Sequence, residues 1–430
     1  MSTISLNLFA RPSTRPSARA HGRGFWAVAL AFLAVMALGT LPSPLYPLYQ
    51  QQDNFSTFTV TLIYAAYAAG IVITVFTVGH ISDWHGRRRM LAPAVAVSAL
   101  SASVFLFWPE LPGLFVARVL SGLSVGVVTA TATAWLAELH RAHRPEASPR
   151  RAQLVASTAN LGGLGLGSLL AGLLAQYAPQ PLRLPYAVLL IVLALALVGV
   201  LLSPDSRELP NPRPRYRTQR ISVPAADRSR FYAALAGAFI AFSGLGLLAG
   251  LSGTFLAGTL HHPSRALAGT AIFLVFAAGV VVQLTTPSWS IRRSLATGMV
   301  GLLTGIGLLV LAAWLPTPSL AVFLVGGVLT GAGAGAMFKG TLGTVVAIAS
   351  PESRAEALAG LFLAGYLALS VPVIGIGIAL QQVSARVALL GFAVLVAVGA
   401  LAVARRLLAD PTPATAAPTT AARPMATAGR

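Results

Sequence analysis

Twelve apolar stretches constrain this chain more than any other feature of its sequence. A helix needs roughly 20 apolar residues to cross the hydrocarbon core of a bilayer. The stretches lack the alternating pattern of barrel strands, so helices are the expected spanning form. The predicted spans are 25–45, 58–78, 90–108, 112–137, 152–176, 185–203, 231–256, 266–286, 295–315, 319–349, 357–380 and 387–404. The predicted fold class is an all-α integral membrane protein.

The composition agrees with a membrane protein and excludes several other classes. Of 430 residues, 56% are hydrophobic and 10% are charged, against about 25% charged in an average soluble domain. The net charge of +19 does not predict a nucleic-acid partner, because the arginines occupy short loops rather than one contiguous surface. The chain has no cysteine, and His140 and His143 lack carboxylate or thiolate neighbours, so we expect neither a metal nor a cofactor.

Arginine distribution predicts the orientation of the spans. If the N-terminus is cytoplasmic, the cytoplasmic segments hold 25 arginines and the outer loops hold 3. Such a bias matches the positive-inside rule. It predicts a multi-pass protein of the cytoplasmic membrane with both termini in the cytoplasm.

A long polar segment divides the chain into two halves. Residues 204–230 contain five prolines and seven arginines, which is typical of a linker. We predict a cytoplasmic N-terminal segment, a first six-helix bundle, a cytoplasmic linker, a second six-helix bundle and a disordered cytoplasmic tail, with boundaries at 1–24, 25–203, 204–230, 231–408 and 409–430.

Glycine stripes recur in the two halves. Span four has Gly122 and Gly126 four residues apart, and span ten has Gly327, Gly331 and Gly335. Span five pairs in the same way with span eleven, through Gly172 and Gly375, and Pro372 predicts a kink in span eleven. Small residues at this spacing let membrane helices approach closely. The repetition indicates a duplicated unit, as in alternating-access transporters.

A charged loop between spans two and three resembles a family signature. The stretch GHISDWHGRRRM contains Gly79, Asp83, Gly86, Arg87 and Arg88. Their spacing resembles the loop G-x-x-x-D-[RK]-x-G-[RK]-[RK] of the major facilitator superfamily, with Trp84 where the family usually has a cation.

Two further patterns carry the same resemblance. Arg118 followed by Gly122 is similar to the family's span-four pattern, and Gly163, Gly167 and Gly172 partly match the span-five pattern of its antiporters, with Ser168 in place of the usual proline. The resemblance implies a bacterial efflux-type secondary transporter of two pseudo-symmetric six-helix bundles. It also implies that spans one, four, seven and ten line a central cavity.

The resemblance also implies a gate on the cytoplasmic side. In the family, the residue at Asp83 faces the N-terminus of span eleven, where unpaired amides favour negative charge. That span is expected to begin with Ser350 as N-cap and Pro351 at the first helical position. Arg87 is expected to reach Glu138, in a contact that crosses between the bundles. Arg88 is a further candidate for this gate, although for Arg88 and Arg89 the favoured interpretation is that they fix the topology by contacting anionic lipid head groups.

Two cations lie inside spans, where charge is costly and usually faces a cavity or a partner. Lys339 continues the glycine stripe of span ten, so it either faces the cavity or extends its amine towards the interface. Arg118 lies near the outer end of span four. The resemblance suggests that it packs helices or tunes a nearby carboxylate, and the alternative is that it extends to the outer interface.

Uncharged polar residues complete the predicted cavity. Prolines loosen span one near Tyr46 and free backbone carbonyls. Further candidates are Thr129, Thr133, Gln283 and Tyr366, for each of which helix–helix hydrogen bonding is the competing interpretation. The middle of the spans contains no Asp or Glu, so the coupling ion stays open, with a proton as one candidate.

The sequence as a whole favours a secondary transporter that exports a small solute by alternating access, within a lipid bilayer and as a monomer. Two alternatives stay open at this stage. One is an uptake carrier for an organic anion, suggested by the cationic interior. The other is a membrane sensor or interaction protein that has the carrier fold without transport. An enzyme is not expected, because no cluster of catalytic groups is present.

Overall fold

The computed structural model describes residues 17–77, 85–205, 227–350 and 353–408. Within these ranges the chain forms twelve helices long and apolar enough to cross a membrane, which confirms the predicted fold class. The helices are α1 (Ala18–Thr40), α2 (Thr57–Thr77), α3 (Arg87–Phe107), α4 (Leu111–His143), α5 (Arg150–Tyr177), α6 (Leu184–Leu202), α7 (Arg228–Gly258), α8 (Arg265–Thr285), α9 (Ile291–Trp314), α10 (Leu320–Ile348), α11 (Arg354–Ala379) and α12 (Ala385–Leu407).

Span one is broken near its C-terminal end, as its prolines predict. After α1 the chain forms a 3-10 turn, Ser43–Leu45, and then a short helix, Tyr46–Asp53. Proline cannot donate a backbone hydrogen bond and does not fit a helix interior. The three pieces together make one span, and the break sets the position of Tyr46.

Serine caps explain where several helices begin. The hydroxyl oxygens of Ser264 and Ser290 accept the backbone N–H groups of Leu267 and Arg293 at 3.2 Å. Such caps satisfy donors that the first helical turn leaves unpaired. At α11 the expected cap is wrong by three residues: the helix begins at Arg354 with Ser353 as its N-cap residue. Ser350 instead accepts the N–H of Ser353 at 3.3 Å, in the turn before the helix.

The two halves repeat the same packing. In the first half α1 packs on α4, α5 and α6, while α4 also packs on α2 and α3, and α3 on α6. Each of these pairs has a counterpart six helices later: α7 packs on α10, α11 and α12, α10 on α8 and α9, and α9 on α12. The halves meet through α5 against α8 and through α2 against α11. If each helix is replaced by its counterpart in the other half, the α5–α8 contact becomes the α11–α2 contact and the reverse. The two halves are therefore related by a pseudo-two-fold axis.

An even number of spans places both ends of the described chain on the same side. We call this side the terminal face and the other side the opposite face. Helices α1, α5, α7 and α11 run from the terminal face outward, while α4, α8 and α10 run back to it. The N-terminal segment (1–16), the greater part of the predicted linker (206–226) and the tail (409–430) lie outside the described residues.

Candidate functional site

A cavity of about 520 Å³ lies between the two halves. Its walls come from α4 and α5 on one side and from α7, α8, α10, α11 and the first turn of α9 on the other, together with the α8–α9 loop. The part of each helix that lines the cavity is the part nearer the terminal face, so the cavity opens there. Its polar lining residues are Thr133, Gln153, Ser157, Asn160, Gln283, Ser294, Lys339 and Tyr366.

The opposite face is sealed where α5 packs on α8. A methyl group on Gly172 would lie 2.6 Å from the carbonyl oxygen of Arg265 and 2.9 Å from the Cα atom of Gly269. Arg265 adds polar contacts, because its guanidinium donates to the Ala175 carbonyl at 3.2 Å and its backbone N–H donates to Gln176 at 3.0 Å. This packing leaves no passage between α5 and α8 at that level.

The pseudo-symmetric contact closes the other side of the opposite face. There a methyl group on Gly377 of α11 would lie 2.6 Å from the Cγ2 atom of Thr61 in α2. The two glycine contacts seal the same face of the molecule from two sides. The structure is therefore open at the terminal face and closed at the opposite face.

A buried tyrosine joins the halves at the inner end of the cavity. The hydroxyl of Tyr366, on α11, shares a 2.8 Å hydrogen bond with the hydroxyl of Thr129, on α4. The side-chain amide of Asn160, on α5, donates to the same Tyr366 oxygen at 3.5 Å. Tyr366 and Thr129 are both buried. Of this predicted pair, only Tyr366 reaches the cavity wall, while Thr129 lies behind it.

Lys339 lies on the cavity wall and is half-buried. Its ammonium donates to the carbonyl oxygen of Thr286, just after the end of α8, and lies 3.3 Å from the Thr286 hydroxyl. The glycine stripe of α10 explains the position of Lys339. A methyl group on Gly331 would clash with the backbone of Val275 in α8. A methyl group on Gly335 would lie 2.6 Å from the Cα atom of Gly279, also in α8. The stripe faces α8, and Lys339 extends past its end into the cavity.

Arg118 is fully buried, with 0% exposure, and does not line the cavity. Its guanidinium donates to the Tyr46 hydroxyl at 2.8 and 2.5 Å and to the carbonyl oxygen of Gly39 at 2.6 Å. The rings of Tyr46, Tyr64 and Tyr67 surround it at 5.4 to 5.8 Å. Among the described residues no carboxylate contacts it.

Arg118 and Tyr46 were predicted to line the cavity, but neither side chain is among its lining residues. Both side chains hold α1, α2 and α4 together, and Arg118 does not extend to the outer interface. The carbonyl of Gly39 is accessible as an acceptor because α1 ends beside it, and the tyrosine faces replace water around the charge. Helix packing is the function that this geometry fits.

The described part of the charged loop lies within the first half. Gly86 adopts φ 93° and ψ 144° just before α3, a conformation that a residue with a side chain rarely adopts. Arg87 pairs with Glu138 at 2.9 Å, as predicted, but the pair joins α3 to α4. The expectation that it crosses between the bundles is wrong, since both helices belong to the same bundle. Gly79 and Asp83 lie outside the described residues.

Arg88 donates to the carbonyl oxygen of Leu201 at 3.3 Å. This carbonyl belongs to the last turn of α6, where unpaired carbonyls and the helix dipole favour a positive charge. Arg88 thus also binds within the first half, beyond the topological role that the sequence predicts.

Four of the remaining predicted packing glycines lie at close helix contacts, and two do not. Gly122 and Gly126 face α2, and Gly163 and Gly167 face α1. Gly327 is looser, because a methyl group there would lie 3.3 Å from its nearest neighbour, the Cγ2 atom of Val275 in α8. Gly375, expected to correspond to Gly172, has no atom within 4 Å of such a methyl group. Pro372 lies inside α11.

Sequence reasoning missed several residues of the cavity wall. Asn160 is the only asparagine inside a span, and its polarity was a usable signal. Phe242, Phe338 and Phe362 form most of the aromatic wall, and no sequence pattern distinguishes them from other apolar residues. Gln283 lies on the wall as predicted, and its side-chain nitrogen has no partner among the described residues.

The family model of the Major Facilitator Superfamily matches residues 28–315. The chain belongs to this superfamily. Its twelve described spans make it a multi-pass membrane protein that is surrounded by a lipid bilayer.

Among curated proteins, the chain is similar to two from Bacillus subtilis (strain 168). It is 26% identical to the Bacillibactin exporter over 149 residues, which are 33% of this chain and 37% of the relative. It is 24% identical to Multidrug resistance protein 2 over 141 residues, 33% of this chain and 35% of the relative. The chain thus spans little more than a third of the length of these relatives.

Solved structures of transporters share the fold over almost the whole chain. A bacterial homologue of the human lysosomal transporter Spinster, inward-facing and unoccupied, has a TM-score of 0.67 at 18% identity and covers 93% of this chain and 100% of its own. The nucleoside transporter NupG has a TM-score of 0.69 at 14% identity, covering 89% and 99%. At these identities the likeness shows the fold alone.

Proposed function

We propose that this protein exports a small solute across the cytoplasmic membrane by alternating access. The terminal face lies in the cytoplasm, as the arginine bias favours. The cavity then accepts solute from the cytoplasm in the state described here. The two halves rock against each other and release it on the opposite face.

The observation that carries this proposal is the position of the cavity. It lies between the two pseudo-symmetric halves, both halves line it, and in the part of the chain that the structure describes it opens at the terminal face. A cavity of about 520 Å³ falls in the range that holds drug-sized ligands. Export rather than uptake is supported by the two bacterial relatives, of which one is an exporter by name and the other a multidrug resistance protein.

The charged loop fits a gate on the cytoplasmic side. The Arg87–Glu138 pair and the Arg88–Leu201 contact fix the start of α3 against α4 and α6. We propose that Asp83 contacts the N-terminal turn of α11 when this face closes. Since the interaction of one carboxylate with a helix N-terminus is worth only about 0.3–1 kcal/mol, this contact would shift the equilibrium between the two states without locking it.

Alternating access is testable by cross-linking the sealed face. The chain has no native cysteine, and the Gln176 side chain reaches the backbone of Arg265 across the α5–α8 contact. The double variant Gln176→Cys with Arg265→Cys would be reconstituted in liposomes, loaded with candidate solutes, and treated with a short thiol-reactive cross-linker. We expect flux before cross-linking, none afterwards, and recovery when the linker is cleaved.

Each single-cysteine variant, treated with the same reagent, serves as the matched control. Flux that persists in the cross-linked double variant would contradict alternating access through this face. Oriented membrane vesicles, with and without an imposed pH gradient, then decide direction and coupling. Accumulation in inside-out vesicles supports export, whereas net uptake into right-side-out vesicles would refute it.

A further inference from the structure

The cavity wall has an uncompensated positive charge. Lys339 is the only charged side chain among the lining residues that the structure describes. Burying charge away from water is costly unless a partner of opposite charge offsets it. The wall thus favours a ligand that brings a negative charge and disfavours a cation.

The ammonium of Lys339 is oriented but not neutralised. It has three N–H donors, and Thr286 provides two acceptors, its carbonyl oxygen and its hydroxyl. Neither acceptor has a net charge. No third partner occurs among the described residues, so one donor is left for a ligand.

A second donor lies on α8, close to the Thr286 partner of Lys339. Gln283 lies in the last turn of α8, three residues before the capping residue Thr286, so the two residues lie on the same side of the helix end. Its side-chain nitrogen is buried and has no partner among the described residues. An oxyanion with two acceptor atoms could satisfy both Gln283 and Lys339.

The rest of the wall favours an apolar, aromatic body. Phe242 and Phe338 meet edge to face with ring centroids 4.9 Å apart, and Phe338 lies 5.8 Å from Phe362. These rings and Lys339 all belong to the second half. The first half contributes neutral polar groups such as Asn160 and Ser157.

We infer that the cavity binds organic anions with an aromatic body, and that Lys339 of the second half holds their carboxylate or sulfonate group. The inference rests on the proposed transport function, since it names the substrate class of the same cavity. Lys339 is then a specificity-determining residue. It selects anions over their neutral and cationic analogues.

Matched ligands test the charge preference directly. Purified protein in detergent would be dialysed against three carboxylates, 2-naphthoate, indole-3-acetate and 4-phenylbutyrate, and against the corresponding amides and amines. We expect at least one acid to bind about 10- to 100-fold more tightly than its amide, as for a hydrogen bond to a charged group. The Lys339→Gln variant should lose this preference, and Lys339→Arg should retain most of it.

A second measurement needs no variant. Lys339 is the only lysine of the chain, so an amine-acylating reagent modifies this side chain and the α-amino group only. A bound acid should slow the acylation of Lys339 several-fold without changing that of the α-amino group, as measured by mass spectrometry. Equal protection by acid and amide, or a preference for amides or amines in all three sets, would overturn the inference.

These binding results are separate from the transport result. If acids bind through Lys339 but no solute crosses the membrane, the transport proposal fails and the anion site stands. If a solute is exported but acids have no advantage that depends on Lys339, the anion site fails and the transport proposal stands.

Discussion

The link between Tyr366 and Thr129 should bias the protein towards the state described here. It joins α11 to α4 at the boundary between the open cavity and the sealed half. Opening the opposite face separates the halves at this level and breaks the link. We therefore expect Tyr366→Phe, which removes only the hydroxyl, to raise the population of the state open to the opposite face.

The magnitude follows from the geometry of the three partners. The 2.8 Å bond to Thr129 is well formed, whereas the Asn160 contact at 3.5 Å is at the limit for a hydrogen bond and contributes little. Thr129 keeps its own bond to the Val125 carbonyl at 2.8 Å, so the variant leaves it with a partner. The loss is then that of one neutral hydrogen bond, about 1 kcal/mol. This corresponds to about a fivefold change in the ratio of the two states.

The absence of native cysteine makes this ratio measurable. Spin labels on Gln52→Cys and Gln382→Cys, both exposed on the opposite face and in different halves, would report their separation by double electron–electron resonance in lipid nanodiscs. We expect the longer-distance population to grow about fivefold relative to the shorter one. Tyr177→Phe is the matched control, because the side chain of Tyr177 is 79% exposed.

Two outcomes would refute this reasoning. One is an unchanged distance distribution in Tyr366→Phe, which would mean that the link persists in both states. The other is an equal shift in Tyr177→Phe. Thr129→Ala combined with Tyr366→Phe provides a further check, because two residues that share one bond should have effects that do not add.

Three more predictions concern stability, measured as thermal unfolding in detergent. Glu138→Gln should destabilise the protein by about 2 kcal/mol, because it removes the charged partner of buried Arg87; an unchanged melting temperature would show that the pair is not stabilising. Arg118→Lys should fail to restore the stability lost in Arg118→Gln, because one ammonium cannot reproduce the forked contacts; full rescue by lysine would contradict this. Gly331→Ala should cost about 1–3 kcal/mol, whereas Gly307→Ala, with no atom within 4 Å, should cost little; similar values for both would contradict close packing at Gly331.

The spans were predictable because each is a long apolar run, and their ends were less so. Helix α4 continues to His143, six residues past the predicted end at 137, and α1 begins at Ala18. Hydropathy detects only the part of a helix that crosses the hydrocarbon core, and polar turns outside it have no such signature. The break in span one was predictable for a different reason, since proline acts locally.

The site was predictable only in part, because its contacts join distant parts of the chain. The polarity of Lys339 and Gln283 marked them as candidates, and both lie on the wall. The sequence around Arg118 does not predict its contact with Tyr46, because Tyr46 is 72 residues away. The family pattern favours α1, α4, α7 and α10 around the cavity, yet α1 contributes none of the described lining residues, and α5, α8, α9 and α11 line the cavity as well.

The close contact between Gly172 of α5 and Gly269 of α8 has a consequence for substitutions at this position. Membrane helices gain little from hydrophobic force when they associate, so contact between bare backbones supplies much of the attraction. That attraction declines steeply within an ångström of separation. A methyl group added at this contact would therefore separate α5 from α8. In the proposed transport cycle it would change the rate of opening at this face without altering any residue of the cavity wall. Under the proposed function, substitutions at the α5–α8 contact would thus change the transport rate, and substitutions at the cavity wall would change the selectivity for the solute.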